Sequence, residues 1–367
     1  MTKEQTRAKP ARNSAVEMLR IIAMLFIVMS HSSVHGGFGE AASQIAFNNF
    51  FLDWMVLGNL GVAIFVLIAG YFLCEKAFRV QPVLRLWSQV FFYSILGTVI
   101  FVLAGNRPTL IDLITAVFPT VYAQFWFFTA YFVLLLLSPY INIVISHLDR
   151  KQHFTLLAIL LTLWCVTPTL TKRGFYGNEL PQFLMFYVMG AYLRKYPDNA
   201  LKLPVVRYWL AAGSGVLLLA SSAVLRLISR YALYFYERNS LLTVGCALGL
   251  FAVAVYMRPW SSKWINAVSS CVFGVYLFHD HLLVRRILWQ DWIGNAGYYD
   301  APILPIRMLV SVLAVFASGV LIEAIRQKYL SRPMLRAVES AYAAAKAPAL
   351  YIFTKAKERI ASLEKTE

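Results

Sequence analysis

Long apolar runs recur along the whole 367-residue chain, and they limit the fold more than any other feature. Most runs are about 17 to 25 residues long, which is the length of helix that crosses the hydrocarbon core of a bilayer. Hydrophobic residues make up 59% of the chain, against roughly 45 to 50% in soluble domains. No stretch between the runs is long enough for a separate soluble domain. The sequence therefore predicts an all-α, polytopic membrane protein with a single membrane domain.

The apolar runs predict about ten transmembrane helices, of which the sixth, PQFLMFYVMGAYL, is short. Loop charge tests this helix, because Lys and Arg concentrate in cytoplasmic loops. With ten helices and both termini in the cytoplasm, 24 Lys and Arg residues lie on the cytoplasmic side and nine on the other. Without the sixth helix the numbers become 15 and 18, and the bias is lost. We therefore expect ten helices, at about 16–33, 52–73, 86–104, 125–146, 154–170, 181–194, 208–226, 240–257, 271–289 and 308–325.

The residues behind the net charge of +16 share this predicted concentration on the cytoplasmic side. The basic residues spread along one membrane face instead of forming one compact patch, which argues against nucleic acid as a partner and favours anionic lipid. We expect a basic cytoplasmic N-terminus at 1–15, a membrane domain at 16–326 and a basic cytoplasmic tail at 327–367. In that tail Leu350, Phe353, Ile360 and Leu363 stand among basic residues. The pattern fits either an amphipathic helix on the bilayer surface or a solvated tail.

The first apolar run, VEMLRIIAMLFIVMSH, carries three ionisable residues, Glu17, Arg20 and His31. At about 100° per residue, Arg20 and His31 lie about 20° apart around the helix, and Glu17 lies between about 40° and 60° from each. The three side chains form one polar stripe, which should face the protein interior or a cavity. The axial rise from Arg20 to His31 is about 16 Å, so one helix joins the two sides of the membrane.

The stripe allows two interpretations. A guanidinium group suits phosphate, and an imidazole can take or give a proton, so the pair would suit a phosphate-bearing donor on one side and an acceptor hydroxyl near the other. Alternatively, Glu17 and Arg20 form an i,i+3 pair at the cytoplasmic interface, and His31 is an interfacial residue that bonds to a loop. Periodicity alone leaves both open.

Four stretches resemble the acyltransferase 3 family of integral membrane enzymes, and the resemblance covers most of the ten predicted helices. The first run fits the acidic-x-x-Arg opening and the Arg-x10-His spacing of that family, with Glu17 where aspartate is more usual. LGVAIFVLIAGYFL at 60–73 is similar to a Gly-Val-x-x-Phe-Phe-x-x-Ser-Gly helix, with Ala69 where serine is common. FWFFTAYFVLLLLSPYIN at 125–142 is similar to a Trp-Phe and Leu-Ser-Pro pattern, and FGVYLFHDHLL at 273–283 to a Tyr-Leu-x-His motif.

The resemblance implies a multi-pass enzyme of the bacterial plasma membrane. Such an enzyme moves an acyl group, most often acetyl from acetyl-CoA, to a hydroxyl of an extracytoplasmic or lipid-linked glycan. It implies acyl-CoA as a donor substrate and no permanently bound cofactor. His31 would be the catalytic residue, Arg20 would support the donor, and Glu17 would orient or balance Arg20. Some family members carry an extracytoplasmic hydrolase-like domain, and here any such partner would be a separate protein.

Four further residues are candidates for binding. Arg79 and Arg85, in FRVQPVLRLW, loosely match an Arg-x-x-Arg motif of the family and suit CoA phosphates, although positive-inside charge also explains them. Trp126 could stack on a sugar ring of the acceptor, or anchor the helix at the interface. His279 could line the acceptor side or be a satisfied interior histidine. On a helix, His279 and His281 would lie about 200° apart, so no metal site is predicted.

Two other classes of function remain. A ten-helix exporter or flippase of a glycan or small metabolite could also keep a polar stripe and broken helices, for example near Pro168 and Pro181. An internal inverted repeat would favour this class, and none is evident in the sequence. A membrane sensor or scaffold would not need His31.

Overall fold

The computed structural model describes residues 13–39, 41–172, 179–228 and 231–363. Within these ranges every regular element is helical, which confirms the all-α prediction. The side chain of Asn13 begins the first helix by accepting a hydrogen bond from the Ala15 amide. The first seven helices are α1 (Ser14–Val34), α2 (Ala46–Met55), α3 (Gly58–Leu73), α4 (Val80–Leu103), α5 (Leu110–Val117), α6 (Trp126–His147) and α7 (Arg150–Leu161).

The second half of the chain contains shorter irregular helices between the long ones. A π-helix at Thr162–Val166 joins α7 to α8 (Thr167–Thr171). The next helices are α9 (Glu179–Lys195), α10 (Pro204–Ile228), α11 (Leu241–Tyr256) and α12 (Lys263–His279). After them come α13 (Val284–Arg286), a π-helix at Ile287–Ile293, α14 (Leu304–Ile325), a π-helix at Arg326–Leu330 and α15 (Ser331–Leu363); 3-10 turns lie at Ala200–Lys202, Tyr234–Tyr236 and Asn295–Tyr298.

Seven helical segments of the described chain are long and apolar enough to cross a membrane, and there are eight if one bent pair counts as a span. The predicted sixth and eighth spans correspond to α9 and α11, of 17 and 16 residues, which are shorter than these segments. Ten spans and cytoplasmic termini therefore stay predictions. The seven segments are Ser14–Val34, Ala46–Leu73, Val80–Leu103, Trp126–His147, Arg150–Thr171, Pro204–Ile228 and Leu304–Lys346.

The continuous helix expected at 271–289 is wrong. The helix α12 ends at His279, and the chain bends by 94° before the helical segment Val284–Tyr298. At the bend, His281 turns away into a buried position where its Nε2 lies 3.1 Å from the Ser94 carbonyl and 2.7 Å from the Gln124 amide nitrogen. Hydrogen bonds to other elements thus replace the helical pattern that regular periodicity predicts. His279 and His281 therefore do not share one helix, so the spacing of two residues says nothing about a metal site.

Close helix contacts hold α1 in the centre of the bundle. A Cβ atom on Gly61 of α3 would lie 2.3 Å from the Ala23 carbonyl oxygen of α1, so only glycine allows this approach. On its other side α3 meets α9, where a Cβ on Gly70 would lie 2.2 Å from the Tyr187 carbonyl oxygen. Near its start α1 is tied to α12, because Ser14 donates a hydrogen bond to Asn266 at 3.0 Å. These contacts fix the polar stripe of α1 between α3 and α12.

The structure tests the two predicted basic terminal segments only in part. Residues 1–12 lie outside the described residues. At the other end α15 is helical through Leu363, which fits the predicted tail helix. The side chains of Leu350, Phe353, Ile360 and Leu363, which would form its apolar face, are outside the described part. Its amphipathic character stays a prediction.

Candidate active site

The ends of α1 lie at opposite ends of the bundle, and each gathers a polar cluster. We call the end with His31 and His279 the histidine end, and the end with Glu17 and Arg20 the arginine end. His31 and His279 are the last-turn residues of α1 and α12, and their side chains are in contact. The structure thus brings together two candidates that are 248 positions apart in the sequence.

Hydrogen bonds at the histidine end define the tautomer of His31. The Nδ1 atom of His279 lies 2.6 Å from the Val275 carbonyl oxygen, which can only accept, so this nitrogen carries the proton of the neutral ring. The Nε2 atom of His279 is then an acceptor, and it lies 2.9 Å from Nδ1 of His31. His31 therefore donates from Nδ1 and keeps an unprotonated Nε2. No described residue bonds to that Nε2, so it is available as a base.

Asp280 and His35 complete this cluster. One carboxylate oxygen of Asp280 lies 3.6 Å from Nδ1 of His31 and 3.7 Å from Nε2 of His35. Asp280 is buried, with 4% of its side chain exposed, so its charge acts in a low dielectric on any proton that reaches His31. Burial lowers the pKa of His35 from its ordinary value, and Asp280 opposes that shift. His35 is therefore mostly neutral near pH 7.

His31, His35 and Asp280 could also ligate a metal ion, because their donor atoms lie within 4.8 Å of one another. A metal bound through Nδ1 of His31 would replace the hydrogen bond to His279, because a nitrogen that ligates a metal carries no proton to donate. The prediction of no metal stays a prediction.

An aromatic layer separates the histidine pair from the arginine end. The ring of Tyr276 lies 6.4 Å from that of His279 and 5.6 Å from that of Phe127, centroid to centroid. Phe127 in turn lies 6.1 Å from Trp126, the first residue of α6. Trp126 is thus at the histidine end, as an acceptor-side residue requires, but it joins His31 only through other rings.

At the arginine end, Glu17 holds Arg20. A terminal guanidinium nitrogen of Arg20 lies 3.2 Å from a carboxylate oxygen of Glu17, and the Ser269 hydroxyl donates to the same oxygen at 2.5 Å. Glu17 is only 8% exposed, whereas 29% of the Arg20 side chain is accessible. The pair is therefore a buried carboxylate that orients an accessible cation, which differs from two charges that extend into water.

A cavity of about 340 Å³ opens beside this pair. Ala69, at the position where the resemblance expects serine, is part of its wall. A second cleft of about 340 Å³ shares Leu86 and Gln89 with it and is lined by Arg79 and Arg85. The first cavity is lined by Glu17, Arg20, Phe65, Ile68, Ala69, Leu86, Gln89, Phe127, Tyr131, Ser269, Ser270, Val272 and Phe273.

The two clefts bring the three candidate arginines around adjoining spaces. Arg79 and Arg85 are exposed, and the described part of the chain offers neither of them an ion pair. Unpaired guanidinium groups beside a cavity are suited to phosphate groups. The six-residue spacing around Pro82, which loosens the match to the motif, still places both side chains on one cleft.

Reasoning from the sequence missed Asp280, His35 and Ser269. The spacing of four residues between His31 and His35 on one helix was a usable signal, and their rings lie 5.1 Å apart. Asp280 stands between the two histidines of the HDH motif, but a continuous helix would have turned it about 100° from His279. Ser269 gives no signal, because an apolar helix tolerates single serines.

Comparison with known proteins assigns the family. No curated protein and no solved structure matches the chain significantly. Residues 13–344, nearly the whole chain, match the acyltransferase domain that defines the acyltransferase 3 family. This match spans both polar clusters and the helices that carry them. The chain therefore belongs to the acyltransferase 3 family and is a multi-pass membrane acyltransferase.

Proposed function

We propose that the protein moves an acyl group, most simply acetyl, from cytoplasmic acyl-CoA to a hydroxyl of an extracytoplasmic or lipid-linked polysaccharide in a bacterial plasma membrane. The proposal depends mainly on one observation: α1 carries a base near one end and a cation near the other. His31 presents an unprotonated Nε2 at one end, and Arg20 borders a cavity at the other, about 16 Å away along the helix.

The donor is assigned to the arginine end. Acyl-CoA carries several phosphate groups, and Arg20, Arg79 and Arg85 border two adjoining clefts there. The wall between Arg20 and the aromatic layer is largely apolar, so it can receive the pantetheine arm. In this arrangement the thioester points along α1 towards His31, and the rings of Phe127 and Tyr276 must move to let it pass.

The reaction follows from the tautomer of His31. Nε2 takes the proton of the acceptor hydroxyl as the oxygen attacks the thioester carbonyl carbon. The C–O bond forms, the C–S bond breaks, and the proton on Nε2 passes to the leaving thiolate, which yields free CoA. The imidazolium that exists in between is stabilised by the buried carboxylate of Asp280, 3.6 Å from Nδ1. An alternative route, in which His31 is itself transiently acylated, uses the same free Nε2.

Transfer of labelled acetyl from acetyl-CoA to cell-surface glycan tests the proposal. We expect His31→Ala to lose about 100-fold or more of the transfer rate, which is the scale of general base catalysis. Arg20→Ala should mainly raise the KM for acetyl-CoA. His147→Ala is the matched control, since His147 is exposed at the far end of α6 and bonds only locally.

Two outcomes would contradict the proposal. If His31→Ala is stably inserted and keeps full transfer, the assignment of the base is wrong. If the wild type transfers no acyl group while export of a glycan depends on the protein, the transporter function takes its place. Family membership favours the enzyme.

A further inference from the structure

One arginine at the histidine end has no role in the mechanism above. Arg238 lies in the loop between the 3-10 turn Tyr234–Tyr236 and α11. Its guanidinium carbon lies 4.9 Å from the ring centroid of Trp126 and 5.3 Å from that of Phe183. The cation therefore packs between the first turn of α6 and the first two turns of α9.

Two nitrogens of Arg238 have no partner among the described residues. Its Nε and Nη1 atoms are inaccessible to solvent and make no hydrogen bond there. A buried polar group that lacks a hydrogen bond is destabilising, and more so when it is charged. The two aromatic faces attract the cation, but they give its N–H groups no lone pair to bond to. The site thus holds unused donors that a ligand could satisfy.

The nearby acidic residues do not supply that partner. Glu179 and Glu237 are the carboxylates whose charges act on Arg238, and neither forms an ion pair with it in the described ranges. Burial lowers the pKa of Arg238 to about 10, so the side chain is still protonated at neutral pH. By comparison, Arg226 at the same end forms a partly buried ion pair with Asp53. Within the described part of the chain, Arg238 is therefore a charged donor that is held in place and forms no ion pair.

Its position connects it to the proposed acceptor side. Trp126 and Phe127 are consecutive residues of α6, and Phe127 contacts Tyr276, which in turn contacts His279. Arg238 thus lies at the same end of the bundle as the base. An indole face beside a guanidinium group suits a sugar that carries a negative charge, because the ring can stack on the sugar while the cation binds its acid.

We propose that Arg238 and Trp126 form an acceptor subsite for an anionic group, a carboxylate on a sugar or a phosphate that links the glycan to its lipid carrier. This inference rests on the proposed acyl transfer and specifies its acceptor as acidic. The carboxylate and the phosphate share the chemistry that Arg238 recognises, and the experiment below separates them.

Kinetics with membrane-bound glycan acceptor test the subsite. We expect Arg238→Gln to raise the KM for the acceptor about tenfold or more, the effect of losing a charge-assisted hydrogen bond, with kcat within about twofold. Arg238→Lys should recover part of the loss. Arg107→Gln is the matched control, because Arg107 is an exposed cation at the same end of the bundle and should change neither constant.

Two treatments of the acceptor identify the source of the charge. Carbodiimide and borohydride reduction converts sugar carboxylates to alcohols, and mild acid removes the phosphate-linked lipid. One treatment should raise the KM of the wild type to that of Arg238→Gln and leave the KM of the variant unchanged. The group which that treatment removes is the one that Arg238 binds. If neither does, and Arg238→Gln has the wild-type KM, the subsite is wrong while transfer by the wild type still supports the proposed function.

A binding measurement keeps the two proposals separable. Inorganic pyrophosphate and glucuronate should raise the Tm of the purified wild type more than glucose at equal ionic strength, and this increase should be absent in Arg238→Gln. A role for Arg238 as a purely structural clamp predicts a lower Tm for the variant and the same anion response. That result would overturn the subsite even if the protein were inactive as an acyltransferase.

Discussion

His279 is expected to act on the reaction only through His31. It accepts the Nδ1 proton of His31 at 2.9 Å and is itself fixed by the Val275 carbonyl at 2.6 Å, with no exposed surface. Replacing it by leucine removes the acceptor, so His31 can protonate on Nε2 and lose its basic lone pair. Replacing it by glutamine keeps an amide oxygen that can accept the same proton.

The expected magnitude follows from the burial of this hydrogen bond. A buried donor that loses its acceptor costs about 1 to 3 kcal/mol. At 1.36 kcal/mol for each factor of ten, His279→Leu should lower kcat by about five- to 150-fold. His279→Gln should lose less than the leucine variant. The KM for acetyl-CoA should change little, because Arg20 and its cavity lie at the other end of α1.

Steady-state transfer of labelled acetyl, with each variant purified in detergent and compared by its Tm, provides the measurement. His147→Leu controls for the loss of an imidazole elsewhere. Full kcat in a stably folded His279→Leu protein would refute the argument that His279 sets the tautomer. Equal losses in the leucine and glutamine variants would refute the claim that an acceptor is what His31 needs.

Three further predictions address the other parts of the site. Glu17→Gln should raise the KM for acetyl-CoA a few-fold, on the scale of a partly exposed ion pair, and an unchanged KM would show that Arg20 needs no orientation. Replacing both Arg79 and Arg85 by glutamine should raise the KM for acetyl-CoA about tenfold, and the KM for a donor that lacks the 3′-phosphate by less. Lys151→Gln is the control, because Lys151 is an exposed cation at the same end, and it should change neither KM. The pKa of His35 is lowered in the folded protein from its ordinary 6.5, so the unfolded chain binds more protons at low pH. Stability should therefore fall as the pH drops below about 6.5. The same pH dependence of Tm in the wild type and in His35→Gln would contradict this prediction.

The sequence predicts those features of the fold that follow from hydrophobic periodicity, and it does not predict those that depend on contacts between distant elements. Apolar runs predicted the helical character of the chain, because a helix satisfies its own backbone in lipid, whereas the count of ten spans stays a prediction. The same runs predicted a single helix at 271–289, since LFHDHLL has no proline or glycine to mark a break. The bend depends on His281 reaching Ser94 and Gln124, residues of other elements that no local pattern can specify.

The candidate site divides in the same way. Helical geometry alone placed Glu17, Arg20 and His31 on one stripe, and the contacts of Glu17 with Arg20 and Ser269 agree with it. The meeting of His31 with His279 joins α1 to α12, so it required the packing of the whole bundle. Arg238 could not have been found from the sequence, because its lack of partners is a property of the surrounding structure.

Asp280, the residue that caps α12, completes the cluster around His31. Its amide still bonds to the Tyr276 carbonyl, as a helical residue does, and its carboxylate lies 3.6 Å from Nδ1 of His31. His279, the last residue of the helix, bonds to the same nitrogen at 2.9 Å. In the proposed reaction the neutral His279 sets the tautomer before proton transfer, and the carboxylate stabilises the imidazolium after it. Two consecutive residues at the end of α12 would therefore supply both interactions that a base at His31 requires.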